Sequence, residues 1–335
     1  MVSPVGPPRV RIARRPPFWV SSSIGNVRTL GPMHRFPATR SSRLRALRAT
    51  TLIVAAAAVL TACSTGGGAS PSSAPASSGP VDVAENLVFA QPEGTELQLT
   101  ACTPRQVRGS LPAVVIVHSG GFTEGGHEDL DWLCKEGAQR GFAAFTVDYR
   151  LLPNAFPSQL EDVVSAVDWI SAAAQVKRFH VDPKRIALLG TSAGGGIVSE
   201  LLTGVPGSPV PSSRFVGGAV LSGVYDFTTI APEATAEELR VSLEYAGCDS
   251  VNCSRMSDVS AIKSVDANDP PMFLANSTDE LVPLGQATAM KAALQDAGVR
   301  NELRISQGKD HAEFIAMNQR DIDAAMWAFL RSIAR

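Results

Sequence analysis

The segment Gly190-Thr191-Ser192-Ala193-Gly194 sets a serine between two glycines, each two residues away. A serine hydroxyl becomes a nucleophile when a sharp strand-to-helix turn lifts it above a sheet, and small residues on either side are what such a turn requires. The hydroxyl also needs a base. Of the five histidines, at 34, 118, 127, 180 and 311, only His311 follows Ser192, in the loop-like run Gly308-Lys-Asp-His-Ala-Glu-Phe314. A third group must orient the imidazole and stabilise its protonated form. Asp279, in Asn276-Ser-Thr-Asp-Glu-Leu-Val-Pro283, is the expected acid, with its neighbour Glu280 as the alternative; Asp310, beside His311, reads as a solvated loop charge. Negative charge developing on an attacked carbonyl oxygen calls for backbone N–H donors. Ala193, next after the serine, supplies one, and His118-Ser-Gly-Gly-Phe122 offers Gly120 and Gly121. His118 is then a residue that shapes this loop.

These residues need a scaffold that brings distant segments to one edge. From Val81 onward, strand-like runs alternate with helix-like ones. Asn86–Ala90 and Glu96–Cys102 flank Pro92-Glu-Gly94 and form a hairpin. The continuous apolar run Ala113–Val117, like Phe142–Val147, has the character of a strand buried on both faces. Further strands are predicted at Arg185–Leu189, Val216–Leu221, Pro271–Ala275 and Asn301–Ile305. Helices are predicted at Glu128–Arg140, Gln159–Ala174, Ile197–Leu202, Leu284–Ala297 and Asp321–Ile333. Strand–helix alternation at this spacing predicts an α/β fold, a mostly parallel twisted sheet with helices on both faces. Ser192, Asp279 and the His118 loop each follow a strand, so all fall at its carboxyl edge.

The chain ahead of this domain differs in kind. Its first 48 residues hold ten arginines and no acidic residue, followed by the apolar run Leu52–Leu60. That run is too short to span a bilayer, which takes roughly 20 residues, and it reads as the core of an export signal. Leu60-Thr61-Ala62-Cys63 resembles the bacterial lipoprotein signal, in which Cys63 would carry the lipid. Ser64 to Pro80 is Gly, Ser, Pro, Ala and Thr only, a flexible tether. The expected organisation is 1–62 signal peptide, with Met33 as an alternative start, 63–80 lipidated tether, and 81–335 folded domain. The expected location is the outer face of the cell membrane. Basic and acidic residues nearly balance, 30 against 32 with a net charge of −2, which leaves no electrostatic footprint for nucleic acid.

Four cysteines follow Cys63. Cys248 and Cys253 enclose only four residues and are the first candidate disulfide; Cys102 with Cys134 is the second, conditional on packing distance. An exported protein tolerates both. Zinc ligation is disfavoured because no cysteine pair has ligand spacing with a histidine nearby. The segment between Asp226 and Ser257, which carries Cys248 and Cys253, is expected to form a small lid or pocket wall.

Asp148-Tyr149-Arg150-Leu151 with Pro153, then Phe156-Pro157 and Glu161-Asp162, and later Asp269-Pro270-Pro271, resemble hormone-sensitive-lipase-like and bacterial feruloyl-esterase-like hydrolases. The resemblance runs from about Val81 to the C-terminus and implies an α/β-hydrolase fold. It further implies a serine carboxylesterase working through an acyl-enzyme, with no cofactor or metal. Arg150 and Asp162 would be structural in such an enzyme. A long N-terminal cap is not evident, which favours the feruloyl-esterase-like branch, an open cleft and short-chain, acetyl or aromatic esters of small molecules or polysaccharides. A peptidase, a formamidase-type amidase and a silent surface-binding lipoprotein are the competing expectations. The sequence leaves the natural ester and the oligomeric state open.

Overall fold

The computed structural model describes residues 79–335 apart from Ala231 and Glu233. The signal, Cys63 and most of the tether lie outside the described residues. Eight strands form one sheet in the order β1-β2-β4-β3-β5-β6-β7-β8. They are β1 Val81–Ala90, β2 Leu97–Pro104, β3 Leu111–Val117, β4 Ala143–Val147, β5 Val181–Thr191, β6 Gly217–Leu221, β7 Met272–Ser277 and β8 Asn301–Ser306. The first two form the expected hairpin, with irregular register between Ala84 and Leu87 and between Val88 and Ala90. β2 also runs antiparallel to β4, and every later pairing is parallel.

Parallel strands need crossovers, and helices supply them. The α-helices are α1 Asp131–Gln139, α2 Ser158–Ser171, α3 Ala173–Phe179, α4 Ala193–Thr203, α5 Ala236–Ala246, α6 Arg255–Asp258, α7 Leu284–Asp296, α8 Glu313–Asn318 and α9 Arg320–Ile333. Alternation along β3 divides the core. Ala113, Val115 and Val117 face one layer with Leu160, Val163 and Val167 of α2, Ile197 and Leu201 of α4, and Met290 of α7. Val114 and Ile116 face the other, with Leu133 of α1 and Met326, Trp327 and Leu330 of α9. Each such valine, leucine, isoleucine or methionine, buried completely, contributes about 1.5–3 kcal/mol. A strand apolar at every position is what a sheet covered on both sides demands.

Several boundaries differ from the sequence expectation. β1 and β5 are longer, and β7 runs to Ser277 rather than stopping at Ala275. The single helix expected over 159–174 breaks at Ala172, whose ψ of 143° is extended, and resumes as α3. Helix α5 opens on a capping box, in which Thr235 Oγ1 accepts from the Glu238 N–H and the Glu238 carboxylate accepts from the Thr235 N–H.

Both candidate disulfides are formed, Cys102–Cys134 joining β2 to α1 and Cys248–Cys253 closing the turn after α5, with Cα separations of 5.7 and 5.8 Å. The first closes the longer loop, spanning 32 positions. Replacing Cys102 and Cys134 together by Ala is expected to lower the unfolding free energy by about 2–4 kcal/mol, and opening the short loop by about 2 kcal/mol or less. Urea midpoints of the two double variants check this; equal midpoints for the first variant and the parent would contradict it.

Candidate active site

Ser192 sits between β5 and α4 with φ 50° and ψ −116°, a backbone conformation that side chains rarely adopt. The turn survives because its flanks lack Cβ atoms. A Cβ on Gly190 would stand 2.3 Å from the Gly194 carbonyl oxygen, and one on Gly194 would stand 2.3 Å from that of Val117. The Ser192 N–H donates to the Leu221 carbonyl at 2.9 Å, fixing the turn to β6. The serine therefore lies where three strand ends meet, since Val117 pairs with Gly190 and Thr191 with Leu221.

His311 arrives from the loop between β8 and α8. Its Nε2 lies 2.9 Å from Ser192 Oγ, and its Nδ1 hydrogen-bonds Glu280 Oε2. A carboxylate accepts only, so Nδ1 carries the proton and Nε2 presents a lone pair to the serine hydroxyl. The other Glu280 oxygen accepts from Ser222 Oγ at 2.9 Å and from the Ser277 N–H at 2.8 Å. The Glu280 side chain is fully buried. Ser222 Oγ in turn accepts from the Ala312 N–H at 2.8 Å, holding the residue after the histidine.

The carboxylate that hydrogen-bonds His311 is thus Glu280 and not the expected Asp279. Asp279 is 73% exposed and faces Lys309 Nζ at 3.6 Å. The reason is the length of β7. Because the strand continues to Ser277, the turn begins two residues later than the sequence suggested. The Asp279 N–H is drawn to the Gly308 carbonyl, and the next side chain points inward. The chain order of nucleophile, acid and histidine is unchanged.

The donor loop follows β3. Gly120 has φ 115° and Gly121 φ 58°; a Cβ on Gly120 would stand 2.0 Å from the Glu124 carbonyl oxygen. The loop passes against the serine turn, as shown by the closeness of Gly194 to the carbonyls of Val117 and His118. Ala193 begins α4, where the first N–H groups have no intrahelical acceptor and carry the positive end of the helix dipole. The start of the donor loop and Ala193 therefore flank the Ser192 turn. His118 is buried and stacks on Tyr149 with centroids 4.2 Å apart; its Nδ1 donates to the Ser119 carbonyl at 2.6 Å. Burial holds its pKa below the ordinary value, so the ring stays neutral and shapes the loop.

The segment from 148 to 162 braces this loop. Asp148 accepts from the His127 N–H at 2.7 Å, His127 Nδ1 at 2.9 Å and the Gln98 N–H at 2.9 Å. Burial opposes charge on His127, but the bond to Asp148 and the nearby charges of Asp148, Glu128 and Asp131 together outweigh it and raise the pKa. His127, Glu128 and Asp148 stand close enough to share a cation, yet Asp148 already accepts three N–H bonds, which fits an internal brace better than a metal centre. Arg150 Nε meets both Asp162 oxygens at 3.0 and 2.8 Å, and the Leu152 N–H donates to the Phe122 carbonyl at 2.8 Å.

Two further features carry no local signature in the sequence. Tyr245, in the segment expected as a pocket wall, stacks on Phe122 with centroids 3.9 Å apart, and its hydroxyl donates to Glu200 Oε2 at 2.5 Å. Burial pushes the Glu200 carboxyl up to about 8, so it is neutral at pH 7. Four non-glycine residues with positive φ, Phe122, Ser192, Ser222 and Ala312, also gather around the site. Such strain persists only where the surroundings over-determine it.

If Glu280 orients His311, Glu280→Gln leaves the geometry but forces the wrong tautomer, and turnover of an activated ester should fall about 10³–10⁴-fold. Asp279→Asn should stay within about twofold of the parent, the usual range of a surface change. The reverse ranking would restore Asp279 as the acid.

The chain is similar to carboxylesterase NlhH of Mycobacterium tuberculosis, 35% identical over 121 residues, covering 35% of this chain and 37% of that enzyme. The aligned part is thus little more than a third of that relative's length. Versiconal hemiacetal acetate esterase of Dothistroma septosporum is 28% identical over 261 residues, 71% of this chain and 75% of that one. Among solved structures, the thermophilic esterase Est2 of Thermogutta terrifontis superposes with a TM-score of 0.62 at 23% identity, over 76% of this chain and 92% of that one. That likeness shows the α/β-hydrolase fold. The BD-FAE family model matches residues 99–294, more than half of the 335, and the chain belongs to the BD-FAE family.

Proposed function

We propose that the protein is a serine carboxylesterase. The observation that carries this reading is the continuous hydrogen-bond line from Ser192 through His311 to Glu280 beside a glycine-rich donor loop. Ser192 Oγ attacks the ester carbonyl while His311 Nε2 takes its proton. Glu280 stabilises the imidazolium, and the N–H groups of Ala193, Gly120 and Gly121 receive the oxyanion. His311 then protonates the leaving alcohol. Water, deprotonated by the same nitrogen, attacks the acyl-enzyme, and the imidazolium returns that proton to Ser192 Oγ as the acid leaves. Each step uses side chains and amides of this chain.

Short-chain or acetyl esters are the substrates this reading assigns. The relative named for an acetate ester aligns over 71% of this chain. An exported, lipid-anchored enzyme is the setting this proposal adopts. The Leu60–Cys63 signal supports it, as do two disulfides, which persist in oxidising compartments.

The full chain and its Ser192→Ala variant, given a fluorophosphonate probe and p-nitrophenyl esters from acetate to octanoate, test the activity. The parent should label and turn over acetate or butyrate fastest, and the variant should lose both by about 10⁴-fold or more. A folded parent that neither labels nor hydrolyses would leave a binding role on a hydrolase scaffold. Cell fractionation tests the setting: Cys63→Ala should release the protein from the membrane fraction, since stable anchoring takes two acyl chains. An unchanged distribution would remove the lipid anchor.

A further inference from the structure

Ser119 stands between His118 and the donor glycines, and the structure gives that serine a partner far away in sequence. Ser119 Oγ donates to the Glu313 carboxylate, 3.2 Å from Oε1 and 3.0 Å from Oε2. The two residues lie 194 positions apart, one immediately before the donor glycines and the other two residues after His311. Both are partly buried. We infer that Glu313 is a positioning residue, which through Ser119 sets the donor loop against the segment that carries the catalytic histidine. The inference rests on the esterase reading above.

The surrounding bonds leave the pair as a direct side-chain link between the two halves of the machinery. On the donor side, the Ser119 carbonyl is held by His118 Nδ1 at 2.6 Å, and the Gly120 carbonyl accepts from the Thr123 and Glu124 N–H groups, both at 3.1 Å. These bonds fix the loop internally but not against the histidine. On the other side, the Phe314 N–H donates to the His311 carbonyl and the Ile315 N–H to the Ala312 carbonyl, each at 3.1 Å, so Glu313 moves with His311. Ala312, with φ 55° and ψ −125°, is held to Ser222 and through it to Glu280. A hydrogen bond to an ionised carboxylate is about twice as strong as one between neutral groups. It extends a chain of contacts that runs from Ser192 through His311, Glu280, Ser222 and Ala312 to Glu313 and Ser119, next to Gly120. Oxyanion donors act only when they meet the transition state at hydrogen-bond distance, so a small displacement of the loop lowers kcat more than it raises KM.

The test compares the full-length parent with Ser119→Ala, Glu313→Ala, Glu313→Gln and the double Ser119→Ala/Glu313→Ala variant on p-nitrophenyl acetate. Rates are divided by the concentration of sites titrated with a fluorophosphonate, so misfolded protein does not count. Each alanine variant should lose about ten- to a hundredfold in kcat with KM within about threefold. The double variant should be no worse than the poorer single one, as expected when two residues act through one bond. Glu313→Gln, whose amide oxygen still accepts from Ser119, should recover most of the loss. Unchanged kcat per titrated site, or losses that multiply in the double variant, would overturn the positioning role while leaving the esterase intact. A parent that takes up no probe would instead bring down the esterase reading, and this inference with it.

Discussion

The molecule is organised around one steric constraint, the close approach of the Ser192 turn to the end of β3. Gly194 lies so near the carbonyls of Val117 and His118 that no side chain fits between them. That contact makes the serine strained, puts the donor loop beside it, and aims the first turn of α4 at the same spot. It can exist only if β3 and β5 are neighbours, and their neighbouring positions are set by the parallel order of the sheet. The helices on both faces hold that order by burying apolar surface, and the stability so gained is what permits a positive φ at Ser192.

From this constraint the division of labour follows. Rigid strand ends deliver Ser192, Glu280 and the start of the donor loop, whereas His311 comes from a loop. Loops are the mobile part of a fold, and here the histidine loop is tied down more than once. Glu280 takes its ring, Ser222 takes the next amide, and Ser277 Oγ donates to the Asp310 carbonyl at 2.5 Å. Ser277 ends β7, Glu280 lies three residues beyond it, and Ser222 directly follows β6. The acid and the anchoring groups thus share one rigid support, which is the arrangement that keeps an imidazole within reach of a serine before any substrate arrives.

Much of this was legible in the sequence, for reasons that are local. A glycine–x–serine–x–glycine run between a strand-like and a helix-like segment leaves few structural meanings, and a single histidine downstream leaves few candidates for the base. Continuous apolar runs such as Ala113–Val117 announce strands covered on both faces. Asp279 and Glu280 are adjacent, and which of them meets His311 depends on where β7 ends. That end is fixed by pairing of Asn276 with Ile305 and of Ser277 with Ser306, a long-range register that a polar Asn-Ser-Thr run conceals. The Glu200–Tyr245 contact and the Ser119–Glu313 bond were hidden for the same reason: each joins segments that only the folded chain brings together.

The most direct measurement of the central claim is a crystal structure of the chain after reaction with a fluorophosphonate. The account requires phosphorus on Ser192 Oγ, its phosphoryl oxygen within hydrogen-bond distance of the Ala193 N–H and a donor-loop glycine N–H, and His311 Nδ1 still on Glu280. Phosphorus on another residue, a phosphoryl oxygen turned away from those amides, or an imidazole paired with Asp279 would contradict it.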